Sequence, residues 1–160
     1  MTPVSMWLHL VKVPPSLLEE VRTRPSVLDA LFFEGDALPG FRPVADSFGH
    51  DQRTLRELAE DRARVEHGAG YWPTAFPWLA RATGRGCAVV EGYGFRHGPA
   101  FVLPPDEVRQ VAEGLAAERW SRTVRASDWD EGREERDLDD LVPFFAAAGA
   151  TGRAVLGGVN

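Results

Sequence analysis

The chain is short of cysteine and of lysine: across 160 residues Cys87 is the one cysteine and Lys12 the one lysine. A single thiol forms no intramolecular disulfide and no cysteine-based zinc site. Lys and Arg together number 18 against 24 Asp and Glu, a net charge of -6. That balance works against a polyanion, whose binders gain affinity by neutralising phosphates with clustered cations. The arginines are interleaved with acids, as in "ELAEDRARVE", the pattern of a solvated helix face. Nucleic acid is therefore not expected as a partner.

Long apolar runs are missing too. None approaches the ~20 residues that span a bilayer. The N-terminal "MTPVSMWLHLVKV" lacks a cationic region followed by a long apolar run and a small-residue cleavage site, so it is not a signal peptide. The expectation is a cytoplasmic protein that does not enter a membrane, with Cys87 reduced and buried in the strand "CAVV".

The motifs of catalysis and cofactor binding are also absent. There is no G-x-S-x-G elbow. "DSFGH", Asp46 to His50, holds the residue types of a hydrolase triad in consecutive positions, where nucleophile and base cannot easily converge. An Asx or Ser turn is the reading there. Gly92 and Gly94 begin a G-x-G, but no third glycine and no helix follows directly, so a dinucleotide is not expected. Asp128 and Asp130 are spaced like the start of a calcium loop. Gly132 then occupies the third ligand position and Asp139 the twelfth, where glutamate belongs. The four histidines, His9, His50, His67 and His97, form no i, i+4 pair and no H-E-x-x-H. Neither a metal nor a cofactor is expected.

What the chain does have is an ordinary globular balance, 44% apolar and 26% charged, in a length suited to one domain. Residues 6–13, "MWLHLVKV", read as a strand ending at Pro14-Pro15. A short helix follows with Leu17, Leu18 and Val21 on one face, closed by Pro25. Ser26 can cap a second helix, with Val27, Leu28, Leu31 and Phe32 apolar, ending at Gly35. Residues 35–86 form a loop-rich middle. Within it a helix spans 54–65, with Leu55, Leu58, Ala59 and Val65 as its apolar face, before an aromatic stretch broken by Pro73 and Pro77. "CAVVEG" and "AFVL" are strand candidates. From Pro105, Val108, Val111, Ala112, Leu115 and Ala116 follow helical spacing. "SDWDEGREERD" is a polar connector. Leu138, Leu141, Val142, Phe145 and Ala146 repeat the helical spacing, with Pro143 placed near the helix start. "RAVLGGV" is the last strand.

"VKVPPSLLEEV" and "FVLPPDEVRQV" are one device used twice. The first proline keeps the preceding residue extended and the second starts a helix. The expected fold is α+β in a single domain, a mixed sheet of about four strands near 6–13, 87–91, 100–103 and 153–159 with helices packed on it.

Two groups of residues are candidates for function. Tyr71, Trp72, Phe76 and Trp78, with His67, are types enriched at interface hot spots, and they read as a site for a protein partner, a small molecule or a second copy in a homodimer. Burial in the core is the competing reading for the aromatic residues. "FRHG" lies just ahead of a strand and supplies the other group. Arg96 can hold a carboxylate or phosphate by its fork, and His97 can transfer protons near neutral pH, with Tyr93 beside them. The first group suggests a non-enzymatic binding module; the second suggests a small cofactor-free enzyme acting on an anionic or polar small molecule.

"GPAFVLPPDEVRQVAEGL", Gly98 to Leu115, resembles the "GPaRyLtPeeVreiAaaL" segment of the YfbM-like family of bacterial proteins (domain of unknown function 1877). "SMWLHLVKVPPSLLEEV" is similar to that family's opening strand and helix, and "DLVPFFAAAGATGRAVLGGV" to its closing helix and strand. The middle departs. Where the family carries "DKaWhaLHflLtG", this chain has "YWPTAFPWLARATG", with Pro77 and Leu79 in place of two histidines. The resemblance implies a compact cytoplasmic α+β domain and carries no catalytic residues across.

Overall fold

The computed structural model describes residues 6–33, 46–68, 71–120 and 140–160. The chain runs β1 (Trp7–Val13), α1 (Ser16–Thr23), α2 (Val27–Phe33), β2 (Ser47–Asp51), α3 (Gln52–His67), α4 (Trp72–Ala75) and α5 (Pro77–Ala82). It continues through β3 (Ala88–Phe95), β4 (Gly98–Leu103), α6 (Pro105–Ala117), α7 (Leu141–Ala150) and β5 (Ala154–Val159). The connector 127–137, its calcium-loop reading, and Leu138 lie outside the described residues.

One sheet of five strands, ordered β2-β1-β5-β4-β3, organises the fold. Every pairing is antiparallel. The α+β expectation therefore holds in class, while the sheet is antiparallel where a mixed one was expected and has one strand more. The added strand is β2, which contains the "SFGH" read as a turn. Its register runs from Trp7 opposite Asp51 to Val11 opposite Ser47, and a pattern rich in Ser, Gly and Asp hid it.

Alternation along the strands divides the interior into two cores. Leu8, Leu10, Phe101, Leu103 and Val155 point to one face, where α3 to α7 pack. Val11, Val13, Ala100, Val102, Ala154 and Leu156 point to the other, covered by α1 and α2. A β-strand aims successive side chains at opposite faces, so β5, with five of its six residues buried, serves both. On the larger side Phe48, Phe145 and Trp120 are almost wholly buried, each contributing ~1.5–3 kcal/mol or more by leaving water.

The helices follow their local chemistry. The Asp51 carboxylate accepts from the Thr54 backbone N–H at 3.0 Å and caps α3, a bond typical of helix N-caps. That helix spans 52–67 and buries Leu55, Ala59 and Ala63. Val65, assigned to the apolar face from its spacing, is 85% exposed; Ala63 takes that place. Both proline pairs are strand-to-helix joints. Pro104 is extended and Pro105 begins α6, while Pro15, already helical in φ and ψ, is the cap that precedes Ser16. Pro143 sits in the first turn of α7, where its missing N–H breaks no helical bond.

A polar knot ties the far end of α6 to α3 and α5. The Glu118 carboxylate accepts from the backbone N–H groups of Trp78 (2.9 Å) and Leu79 (3.1 Å) at the start of α5. It also accepts from the Trp120 indole N–H at 3.0 Å. Burial pushes the Glu118 carboxyl up from its ordinary value, against the pull of those donors and of Arg62. The Arg62 guanidinium lies over the Trp120 ring (4.1 Å) and the Phe76 ring (4.7 Å) and donates to the Glu118 carbonyl at 2.9 Å.

Candidate functional site

The aromatic group of the middle segment does not make one surface. Trp72 and Phe76 are 8% and 3% exposed and belong to the larger core, Phe76 standing edge-on to Trp120. Trp78 is half-buried and lies flat on α6 at Gly114. Tyr71 is exposed, its hydroxyl accepting from Arg85 at 2.7 Å. His67 is exposed at the end of α3, with its ring edge toward Phe76. As folded, only Tyr71, His67 and part of Trp78 present themselves to an outside partner.

The second group is also separated. Arg96 and His97 form the two-residue turn of a β3–β4 hairpin, closed by the pair Phe95 and Gly98, rather than a segment ahead of an isolated strand. The positive φ of Gly98, 139°, is what lets the chain re-enter the ladder there. The His97 backbone N–H donates to the Val159 carbonyl at 3.0 Å and the Arg96 N–H to the Asn160 side chain at 3.3 Å, so the turn is pinned to the end of β5. Tyr93 instead faces the smaller core, in edge contact with Phe95, and donates its hydroxyl to Asp29 of α2 at 2.8 Å. Burial and the neighbouring Asp29 carboxylate push the Tyr93 phenol far up, which removes it from proton transfer near neutrality.

Cys87 falls one residue before β3, half-buried, its thiol donating to the Arg81 carbonyl at 3.3 Å. Burial pushes that thiol up to about 11, so little thiolate is present at pH 7. The buried residues of "DSFGH" are structural as well. Asp46 forms an ion pair with Arg153 at 2.7 Å, and His50 donates from Nδ1 to the Asp51 carbonyl at 2.8 Å, since a carbonyl only accepts.

A concave feature lies elsewhere among the described residues. On the α1–α2 side of the sheet a cleft of about 330 Å³ opens between α1 and the outer strands. Leu18, Val21 and Arg22 of α1 form one wall; Val89, Val90 and Glu91 of β3 form the other; Val102 and Leu156 form the floor. A break in the ladder explains the opening. Five steps along β3, from Val89 to Gly94, correspond to two along β4, from Phe101 to Pro99. The surplus residues make a bulge, a device that re-aims side chains and recurs beside binding sites. Val90 and Glu91 sit in it. Gly92 takes φ 86° there, against the Pro25 ring that follows α1. The walls are apolar below, with one guanidinium and one carboxylate at the mouth.

No signal in the sequence singles these residues out: Arg22 reads as an ordinary solvated helix residue and "VVEG" as a strand end. Only the meeting of segments some seventy positions apart makes the cleft. Among the described residues no three His, Cys, Asp or Glu side chains gather as a metal site, and no helix is long and apolar enough to cross a membrane. Comparison with protein-family models, with curated proteins and with solved structures finds no match.

Proposed function

We propose that the chain is a cytoplasmic, non-enzymatic ligand-binding module that needs no cofactor, and that its site is the cleft between α1 and the β3 bulge. The cleft itself is the observation that carries this reading. Small-molecule sites are concave, mostly apolar pockets of ~300–1,000 Å³ with a few placed polar groups, and a volume of about 330 Å³ walled by Leu18, Val21, Val90, Val102 and Leu156 is of that kind. The aromatic residues that favour a protein partner in the sequence are largely spent on the core. A reaction centred on Arg96 and His97 draws less support, because Tyr93 has its hydroxyl bound to Asp29 and its phenol is pushed far up by burial.

Titration of the protein with 1-hexanol, followed by amide NMR, tests the site. The largest shifts should fall on Val89, Val90, Val102 and Leu156, and Leu18→Trp, which fills the mouth from a half-exposed position, should abolish them. Shifts confined to residues away from the cleft would remove the proposal. Likeness to the YfbM-like family is a second, separate proposal. A solved member with the strand order β2-β1-β5-β4-β3 supports it, and a different order ends it.

A further inference from the structure

The charges at the mouth of the cleft are not balanced, and this bears on what enters it, given the binding reading above. Arg22 has a carboxylate of its own: Glu19, one turn earlier on α1, lies 3.7 Å away. Glu91, on the opposite rim, has no ion pair or hydrogen bond among the described residues. The rim therefore presents one uncompensated negative charge. The whole chain, at -6, adds a field of the same sign, which draws cations and repels anions. Below the rim the lining is mostly apolar. A neutral apolar ligand leaves Glu91 unused. A carboxylate meets it and the field of the whole chain with the wrong sign, and Arg22 is already partly neutralised by Glu19.

We propose that the cleft takes a small lipophilic amine, its hydrocarbon body against Val21, Val90, Val102 and Leu156 and its ammonium at Glu91. An alkylamine has a pKa near that of lysine, about 10.4, so it is cationic at pH 7. The apolar contact supplies most of the affinity. The exposed ion pair adds discrimination, because pairs in solvent contribute little.

Three probes with one hydrocarbon chain separate the terms: hexylamine, 1-hexanol and hexanoate, each titrated at pH 7 against the amide signals of Val89, Val90, Val102 and Leu156. Hexylamine should bind about three-fold more tightly than 1-hexanol, the range expected of an exposed ion pair, and hexanoate more weakly than either. Glu91→Gln should bring hexylamine to the affinity of 1-hexanol, both measured on that variant. Raising the salt to 1 M should narrow the gap, since the screening length falls to ~3 Å. If 1-hexanol binds and hexylamine binds no better, or if Glu91→Gln leaves the preference intact, the amine assignment is overturned while the cleft reading stands. If none of the three moves the cleft amides, both fall together.

Discussion

Gly114 stands in the interior of α6, where an alanine is worth about 1 kcal/mol more to the helix than a glycine. A methyl group there would overlap the five-membered ring of Trp78, which packs flat on the bare backbone. The second effect is the larger, because overpacking a closed interface costs ~1–3 kcal/mol or more. Gly114→Ala should therefore destabilise the protein by about 1–2 kcal/mol in urea melts, against its helix propensity, and pairing it with Trp78→Leu should recover part of the loss. A gain in stability from Gly114→Ala alone would show that Trp78 is not seated there. At this scale the sequence was a good guide to type and a poor one to place. Trp72, Phe76 and Trp78 were visible as large apolar side chains, but four-residue α4 and six-residue α5, each with a proline in its first turn, have no periodicity long enough to show which side faces inward. Val65 fails for another reason: helical spacing can group it with Leu58, but the face of α3 turned inward is the one that carries Leu55, Ala59 and Ala63.

Among the elements, α5 depends on a residue far along the chain. It has no side-chain cap from its own flank; Glu118 reaches across from the end of α6 to accept two of its free N–H groups and holds Trp120 with the same carboxylate. Each hydrogen bond to a charged group is worth about 1.5–3 kcal/mol at most, and a donor left buried without a partner costs a similar amount. Glu118→Ala should lower stability by about 2–3 kcal/mol, with loss of Trp120 near-ultraviolet dichroism, whereas Glu118→Gln, which keeps one acceptor oxygen, should lose about half as much. Equal effects of the two substitutions would argue that the charge rather than the oxygens matters. Strands β1, β3, β4 and β5 and the longer helices α3, α6 and α7 were readable from apolar spacing, supported at β1–α1 and β4–α6 by proline joints that agree with it; β2 was not, for want of apolar residues. The hairpin turn at Arg96-His97 was not, since it lacks the Asn-Gly or Gly-Gly pair that usually marks a two-residue turn; Gly98, just after it, was the available hint.

For the whole molecule, the α1–α2 side of the sheet holds a group that ties stability to acid. His9 points to the α1–α2 side and is held among Phe32, Phe33 and Phe95, with ring centroids 6.0–6.3 Å away. Burial lowers its pKa from the ordinary 6.5. The unfolded chain thus takes up this proton at a higher pH than the folded one. The stability linked to neutral His9 is complete above pH 6.5 and is lost as the pH falls through that value toward the lower folded one. Urea melts between pH 7.5 and pH 5 should show stability falling on the acid side, and His9→Phe should flatten that part of the curve; an unchanged slope would mean His9 stays neutral in both states over the range or charges equally in both. The cleft belongs to this scale as well. α1 and the β3 bulge come together only when the sheet is complete, so no window of sequence, read locally, contains the cleft.

The sheet's central strand, β5, pairs along one edge with β1. Trp7 and Asn160 exchange backbone hydrogen bonds at 2.8 and 2.9 Å, and β1 lies along β5 from Leu8 opposite Val159 to Val13 opposite Ala154. On the ribosome, at ~5–20 residues per second, β1 therefore waits roughly ten seconds for its neighbour to be made. During that interval its inner edge, carrying Leu8, Leu10, Val11 and Val13, is open to any strand that passes, including another nascent copy. Newly made chains should thus be at greatest risk of clumping in the interval before β5 has been made, while that edge of β1 is still unpaired.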